Sequence, residues 1–331
     1  MKAYNKDKKK YKKKYTKTAF GKNKVLYSSV MIAAIAIGLI VDTVKEHKLQ
    51  ETMVAVESTD VVVNEQITDG ELTIHYLDVG HGDATLLTCD GMSMLIDCGD
   101  DTQGTKIQNY LQKHGIKKLD YLILTHPDKD HIGGAPVVIT KFDIDTMFMS
   151  YYEKDNTTYE RLMETIEYKR QVWSTPEVGD SYQFGSAYFT VLAPNDIYED
   201  SNDASIAIKL THEDNDFLFT GDAEKKAEKD MVASGYDLSA DVLHVGHHGS
   251  NSSTKKSFLE AVMPTYAVIS CDYNGEHGHP RAEVLNRLRE NGVKVFRTDE
   301  QGTIVAVSDG KTITFNMSPS ETWQAGEPKG N

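Results

Sequence analysis

Residues that can bind metal crowd into one short loop of the sequence. In "THPDKDH", residues 125–131, two histidines and two aspartates fall within six positions: His126, Asp128, Asp130 and His131. Imidazole nitrogens and carboxylate oxygens bind divalent cations, and side chains on one tight loop can point at a common centre. The loop therefore predicts a metal site, beside which Asp130 can orient a water molecule for catalysis.

Further residues of the same types follow later apolar runs. "FLFTGD" ends at Asp222, "LHVGHHGS" contains His247 and His248, and "HGHP" contains His277 and His279. We predict that Asp222 and His247 complete the metal site, although Asp222 could instead cap the helix that follows it. His248 is either a partner of the ligand or the ligand itself. His248 and His279 have the acid strength to give a proton to a leaving group.

Strand ends must position these groups. "KLDYLILT", directly before the first loop, is a continuous apolar run that predicts a strand buried on both faces. Earlier strands form hairpins, one of them turning at Asp90 and Gly91, and later strands alternate with helices, which predicts an α/β domain with sheets inside and helices outside. For Asp78, Asp83 and Asp97 we favour structural roles, as acceptors from backbone N–H groups at strand-end loops.

The charge of the chain is divided between its two ends. Residues 1–24 contain eleven lysines and one acid, and since the whole chain has a net charge of −14, residues 25–331 carry −24. Residues 25–41 are uncharged, and as a helix they would extend roughly 25 Å, nearly the thickness of a hydrocarbon core. We predict a transmembrane anchor with a cytoplasmic basic tail at residues 1–24 and the acidic body outside the cell. A cleaved secretory signal is the alternative, but no small-x-small cleavage site follows the apolar run.

The acidic body divides into three parts. Residues 42–70 are polar, and we predict that they form a linker. We predict a folded domain at residues 71–316 and a flexible tail at residues 317–331. Three cysteines lie in apolar, strand-like segments: Cys89, Cys98 and Cys271. We favour three buried thiols over a disulfide with one spare cysteine.

The motifs together carry a family resemblance. "HPDKDH" resembles the HxHxDH signature of the metallo-β-lactamase fold, with Asp128 in place of the second histidine. With "YLDVGHGDATLL", "LIDCG", "NDASIAIKL", "FLFTGDAE", "DVLHVGHHGS" and "VFRTDEQG", it resembles the extracytoplasmic C-terminal domain of ComEC-type competence DNA-uptake proteins. The resemblance implies a four-layer αββα sandwich, which we expect to follow one transmembrane helix in place of the integral channel of those proteins.

The resemblance also implies a ligand set for one or two divalent cations, zinc or manganese. One cation would be held by His126, Asp128 and His247, and a second by Asp130 and His131, with Asp222 bridging the two. The fold's usual third histidine is absent from the loop "EDSNDAS", where Asn202, Asp203 or Ser205 could serve instead. The oxygen-richer set favours manganese more than the fold's usual histidines would.

The implied function is a membrane-anchored phosphodiesterase or nuclease that acts on DNA through a metal-activated water. A body at −24 repels a polyanion unless a basic patch overrides the mean charge, and Lys255, Lys256, Arg281 and Arg297 are the candidates. One alternative is a metallohydrolase of a small or wall-bound substrate, such as a phosphorylcholine ester, a nucleotide or a lactone. Another is a non-catalytic component of DNA uptake.

Overall fold

Two mixed seven-stranded sheets form the centre of the structure. The computed structural model describes residues 70–272, 275 and 277–327. Sheet A contains β1 (Leu72–Tyr76), β2 (Thr85–Cys89), β3 (Met92–Ile96), β4 (Lys118–Leu124), β5 (Asp143–Met149), β13 (Ile304–Ser308) and β14 (Ile313–Phe315), in the order β14-β13-β1-β2-β3-β4-β5. Sheet B contains β6 (Ser181–Phe184), β7 (Ala187–Ala193), β8 (Ala207–His212), β9 (Asn215–Phe219), β10 (Val242–His244), β11 (Tyr266–Ile269) and β12 (Lys294–Arg297), in the order β12-β11-β10-β9-β8-β7-β6.

The two sheets pack against each other through one apolar cluster. Successive side chains of a strand point to opposite faces, so alternate residues share a layer. Leu72 and Ile74 of β1 meet Phe217 and Phe219 of β9 in this inner cluster, whereas Leu218 belongs to a second cluster on the opposite face of sheet B. Both faces of each sheet are therefore covered.

Helices cover the two outer faces. They are α1 (Gly104–Lys113), α2 (Lys129–Ile132), α3 (Ala135–Lys141), α4 (Thr157–Lys169), α5 (Lys225–Ala233), α6 (Lys256–Val262), α7 (Ala282–Glu290) and α8 (Thr298–Gln301). Apolar residues of α1, α3 and α4 pack on sheet A, and those of α5, α6 and α7 pack on sheet B. The αββα sandwich predicted from the motifs is confirmed.

The hairpins show how local sequence sets the register. Asp90 and Gly91 join β2 to β3 with positive φ angles of 46° and 79°, as a two-residue hairpin turn requires, and the predicted turn is confirmed. The hairpin between β8 and β9 is equally tight, because His212 pairs with Asn215 across Glu213 and Asp214.

The ends of the chain fall partly outside the described residues. The predicted basic tail, the anchor at 25–41 and residues 42–69 of the linker all lie there. Among the residues that the structure does describe, no helix is both long and apolar enough to span a membrane. Within the predicted tail, Ser320 donates its backbone N–H to the carbonyl oxygen of Val295 at 2.7 Å, and Trp323 packs on the outer cluster of sheet B.

Candidate metal centre

The loop after β4 is held between buried neighbours. β4 pairs in parallel with both β3 and β5, and its last three residues are buried. The side chains of His126 and His131, directly beyond its end, are fully buried. Asp130 and His131 lie in the short helix α2, which begins at Lys129, soon after β4 ends at Leu124. The predicted crowding at a strand end therefore exists in three dimensions.

Four buried side chains form a compact group of possible metal ligands. They are Asp83, His131, Asp222 and His248, with one donor atom each and all four atoms within 4.8 Å of one another. His131 Nε2 lies 3.3 Å from Asp222 Oδ1 and 3.3 Å from His248 Nε2. The group draws on both sheets, because Asp83 follows β1 and Asp222 follows β9.

A second group shares His248 and opens to solvent. Asp130 Oδ2 lies 3.1 Å from His81 Nε2 and 3.2 Å from His248 Nε2. The side chains of His81 and Asp130 are 26% and 23% exposed, so these two residues form the outer rim of the centre. Gly82, at φ +122°, permits this approach, since a Cβ atom there would overlap the carbonyl oxygen of Asp130.

Three predicted ligands lie outside these two groups. His126 Nε2 and His247 Nε2 each approach Asp222 Oδ2 at 3.7 Å, so both face the centre. Asp128 Oδ1 lies 3.9 Å from His126 Nε2 but only 2.6 Å from Lys154 Nζ. The structure thus brings His126 and His247 to Asp222 and ties Asp128 to a lysine.

The adjacent histidines 247 and 248 are separated by their surroundings. Both have left-handed φ angles, 51° and 54°, which is unusual for residues other than glycine. His248 is buried and donates its Nδ1 hydrogen to the carbonyl oxygen of Ser270 at 3.1 Å, which leaves Nε2 directed at the centre. His247 is partly exposed, and its Nδ1 lies 3.1 Å from Glu224 Oε1. His248, predicted for catalysis, is the residue that joins both groups.

Asp97 orients the ligand-type residues of the loop. Its Oδ2 accepts a hydrogen bond from His131 Nδ1 at 2.8 Å, which leaves His131 Nε2 to face Asp222. Its Oδ1 accepts the backbone N–H of Thr125 at 2.8 Å. The sequence predicted the backbone contact, but not the one to His131. Carboxylate partners of this kind fix the tautomer and direction of a metal-ligating imidazole.

The sequence did not single out His81, and the role predicted for Asp83 needs correction. A loop-holding role was expected for Asp83, but its Oδ1 lies 3.5 Å from His248 Nδ1 and 3.7 Å from His244 Nε2, inside the buried group. Asp78, by contrast, does accept a loop N–H, from Gly80 at 3.2 Å. The available signal was "HGD" directly after a strand, which also reads as an ordinary turn.

The charges at the centre are strongly coupled. Burial alone would lower the pKa values of His131 and His248, but Asp222 and the other neighbouring carboxylates raise both well above the ordinary value. Burial would likewise raise the pKa of Asp222, but the charged histidines hold it well below its usual range. Without a cation, protonated imidazoles therefore balance the buried carboxylates.

The residues present fit a divalent cation. Asp83 Oδ1 and His126 Nε2 are buried and have no hydrogen-bond partner among the described residues. An unsatisfied buried polar atom costs about 1–3 kcal/mol, so a cation that these atoms face would offset a real penalty. A mixed imidazole and carboxylate set suits zinc or manganese.

The side chains of the loop at residues 199–205, where a further ligand was predicted, make other contacts. Asp203 Oδ1 accepts the backbone N–H groups of Glu224 and Ala227, at 3.1 and 3.0 Å, and so caps α5. Ser205 Oγ accepts the N–H of Asp222 at 3.2 Å. Asn202 Nδ2 lies 3.4 Å from His247 Nδ1. These three residues position their neighbours, and Asp203 belongs to neither of the two ligand groups.

A cleft of about 350 Å³ adjoins the outer rim of the centre, lined by His81, Asp100, Lys129, Asp130, Asp272, Gly275 and His277.

His279, which packs near His248, was predicted as a proton donor. Burial and the charge of His248 lower its pKa to about 3, so the ring is neutral at pH 7.

The predicted basic patch needs correction. Arg297 is buried and paired with Asp299 and Glu300, at 2.7 and 2.9 Å, so it is not available to an outside anion. Lys255 and Lys256 instead belong to a cleft of about 470 Å³ between α5 and α6, whose lining includes four lysines. The complete lining is Lys225, Glu228, Lys229, Lys255, Lys256, Ser257 and Glu260.

The cysteines are as predicted. Cys89, Cys98 and Cys271 are all buried and free. Burial raises the pKa values of Cys98 and Cys271 well above the ordinary value, so both remain uncharged thiols. They serve as small core residues rather than as ligands.

Comparisons with known proteins agree with the motifs. The profile of the Metallo-beta-lactamase superfamily matches residues 77–272. ComE operon protein 3 of Bacillus subtilis (strain 168) is 32% identical over 211 residues, which cover 63% of this chain and 27% of that protein. Competence protein ComA of Neisseria gonorrhoeae is 32% identical over 245 residues, which cover 72% of this chain and 33% of that protein. The chain thus spans a third or less of the length of these relatives.

Among solved structures, the metallo-beta-lactamase fold protein YhfI from Bacillus subtilis is similar, with a TM-score of 0.46 and 14% sequence identity. The alignment covers 72% of this chain and 100% of that one.

Proposed function

This chain belongs to the Metallo-beta-lactamase superfamily and is related to competence proteins, and we propose that it is a metal-dependent phosphodiesterase that hydrolyses DNA or another nucleic acid. The observation that carries this proposal is the convergence of five side chains at one set of strand ends: Asp83, Asp130, His131, Asp222 and His248. Phosphodiester hydrolysis needs an activated water and positive charge near the phosphoryl oxygens.

The inner group would hold the cation. Asp83, His131, Asp222 and His248 supply two imidazole nitrogens and two carboxylates, a set that suits zinc or manganese. A cation bound there would lower the pKa of a water molecule and stabilise negative charge on a phosphoryl oxygen. Asp97 keeps His131 in the tautomer whose Nε2 lone pair faces the centre.

The rim residues would move the proton. Asp130 Oδ2 is fixed by two imidazoles, at 3.1 and 3.2 Å, and can accept a proton from an attacking water. His81 Nε2, the nearer of the two, is partly exposed and can relay that proton to solvent. Both residues line the cleft of about 350 Å³, which is where the scissile group would enter.

The lysine-lined cleft supports a polyanionic substrate. Four lysines against two glutamates give it a local positive charge on a body that is acidic overall. Its lining begins near the centre in sequence: Lys225 follows Asp222 by three residues, and its backbone N–H donates to the carbonyl oxygen of Ser252 at 3.1 Å. Phosphates of an extended strand could therefore bind the lysines while another phosphate lies at the centre.

The N-terminal residues complete the proposal. Residues 25–41 would anchor the chain, with residues 1–24 in the cytoplasm and residues 42–70 as a spacer that leaves the 71–316 domain outside. Protease added to intact cells should then remove the domain and leave a protected N-terminal fragment. A domain that stays protected until the cells are lysed would contradict this topology.

The purified full chain, in detergent and loaded with Mn²⁺ or Zn²⁺, should hydrolyse single-stranded DNA and bis-p-nitrophenyl phosphate. Chelation should abolish both activities. Hydrolysis of a phosphorylcholine ester or a lactone, without hydrolysis of DNA, would favour a small-molecule hydrolase instead. Absence of turnover on every phosphodiester would overturn the proposal.

A further inference from the structure

The carboxylate of Asp128 already has a cationic partner. Lys154 Nζ lies 2.6 Å from Asp128 Oδ1 and 3.4 Å from Ser201 Oγ. Ser201 donates its hydroxyl hydrogen to the same oxygen of Asp128 at 2.8 Å. The side chains of Lys154 and Asp128 are 34% and 29% exposed, so the pair lies partly within the protein. This carboxylate oxygen therefore holds two hydrogen bonds, one of them from a full positive charge.

The same region is where the motif resemblance implies one of two cations. There, His126 Nε2 and His247 Nε2 each lie 3.7 Å from Asp222 Oδ2. Within the described part of the chain, neither residue belongs to a group of three or more donors that all lie within 4.8 Å of one another. Asp222 thus belongs to a group of four close donors with Asp83, His131 and His248, whereas among the described residues it forms no such group with His126 and His247.

We propose that the chain binds one divalent cation rather than two, and that the ammonium group of Lys154, fixed by Asp128 and Ser201, replaces the second. The inference rests on the proposed metal-dependent function, whose ligands would be Asp83, His131, Asp222 and His248. A cation bound to Asp128 would have to displace this ammonium or lie within a few ångströms of its charge, and at such distances like charges repel strongly.

The ammonium group also suits the replacement chemically. It is a compact point charge with three donors, of which Asp128 and Ser201 use two. The third donor is available to an anionic oxygen. The positive charge that a second cation would supply is then built into the chain itself.

Metal stoichiometry tests the inference directly. The metal-depleted full chain is equilibrated with excess Mn²⁺, passed through a desalting column and measured by inductively coupled plasma mass spectrometry. We expect one Mn²⁺ per chain for the wild type, two for Lys154→Met, and one for the charge-conserving control Lys154→Arg. Two Mn²⁺ per wild-type chain, or no gain in a folded Lys154→Met variant, would overturn the inference.

Two further measurements keep the test decisive. If circular dichroism shows that Lys154→Met does not fold, Lys154→Gln takes its place, and the wild-type stoichiometry remains a test by itself. Activity separates this inference from the function proposed above. One bound Mn²⁺ without phosphodiester hydrolysis contradicts that function alone, whereas hydrolysis by a chain with two Mn²⁺ contradicts the single-cation inference alone.

Discussion

The Nε2 atoms of His131 and His248 lie 3.3 Å apart, although 117 residues of sequence separate them. Both rings already donate their Nδ1 hydrogens, His131 to Asp97 and His248 to the carbonyl oxygen of Ser270. The two Nε2 atoms therefore face each other beside the buried carboxylate of Asp222. One cation bound by both nitrogens would replace the protons that otherwise crowd this space.

The two adjacent histidines should differ in their effect on metal binding. His248→Ala should weaken Mn²⁺ affinity by at least about 100-fold, because it removes a donor from both ligand groups. His247→Ala should change the affinity by about tenfold or less, since this residue only approaches Asp222 and is held by Glu224. Equilibrium dialysis of the two variants measures the difference. Equal losses, or a larger loss for His247→Ala, would contradict the assignment of His248.

Metal affinity should rise with pH. Neighbouring carboxylates raise the pKa values of His131 and His248 in the metal-free protein, so both rings hold protons at neutral pH that the cation must displace. The affinity therefore falls as pH decreases, by about tenfold per pH unit for each proton released. Calorimetric titrations at pH 6, 7 and 8 should show this slope together with proton release to the buffer. A constant affinity across this range would refute the explanation.

The lysine-lined cleft should contribute to the binding of long substrates only. Changing Lys225, Lys229, Lys255 and Lys256 to glutamine should raise the KM for single-stranded DNA and reduce its salt dependence, by about 0.7 in the log–log slope for each lost phosphate contact. Hydrolysis of bis-p-nitrophenyl phosphate should stay unchanged. A matched control changes four exposed lysines elsewhere: Lys113, Lys117, Lys141 and Lys169. Equal effects of the two quadruple variants would show that the cleft does not bind the DNA substrate.

Glu228 should make stability depend on pH. Its buried carboxyl group accepts the backbone N–H groups of Thr254 and Lys255, yet burial raises its pKa from 4.5 to about 7. The folded protein thus binds more protons than the unfolded chain between these values, so the free energy of unfolding falls as pH rises through that window. The loss contributed by this group is about 3 kcal/mol.

The variant Glu228→Gln lacks this titration. Its midpoint of thermal unfolding, relative to that of the wild type, should therefore increase between pH 4.5 and pH 7.5. Differential scanning calorimetry of both proteins at several pH values measures the change. A difference that is independent of pH would show that Glu228 titrates alike in the folded and unfolded states.

Much of the fold could be predicted because its signals are local. The run before His126 predicts a buried strand by its apolar residues alone, and the turn at Asp90 and Gly91 predicts a hairpin by its backbone requirements. The family resemblance was equally accessible, since the motifs occur in order, and the profile match confirms it. The alternation of later strands with helices was also expected, whereas the bounds of each helix come from the structure.

The site could be predicted in type but not in arrangement. His126, His131 and Asp222 were expected from their positions after apolar strands, and the structure brings them together. His248 could not be separated from His247, because two consecutive left-handed residues decide which ring turns inward. The contact of Lys154 with Asp128 could not be predicted either, since Lys154 lies in a polar loop 26 residues further along the chain.

The most direct test of the central claim is the turnover of bis-p-nitrophenyl phosphate by the Mn²⁺-loaded full chain, compared with Asp130→Asn and with Asp309→Asn as a control in an exposed turn. Asp130→Asn should lower kcat by about 100-fold or more, because it removes the proton acceptor at the rim. Asp309→Asn should retain wild-type turnover. Equal turnover by the wild type and Asp130→Asn, at equal metal content, would contradict the account.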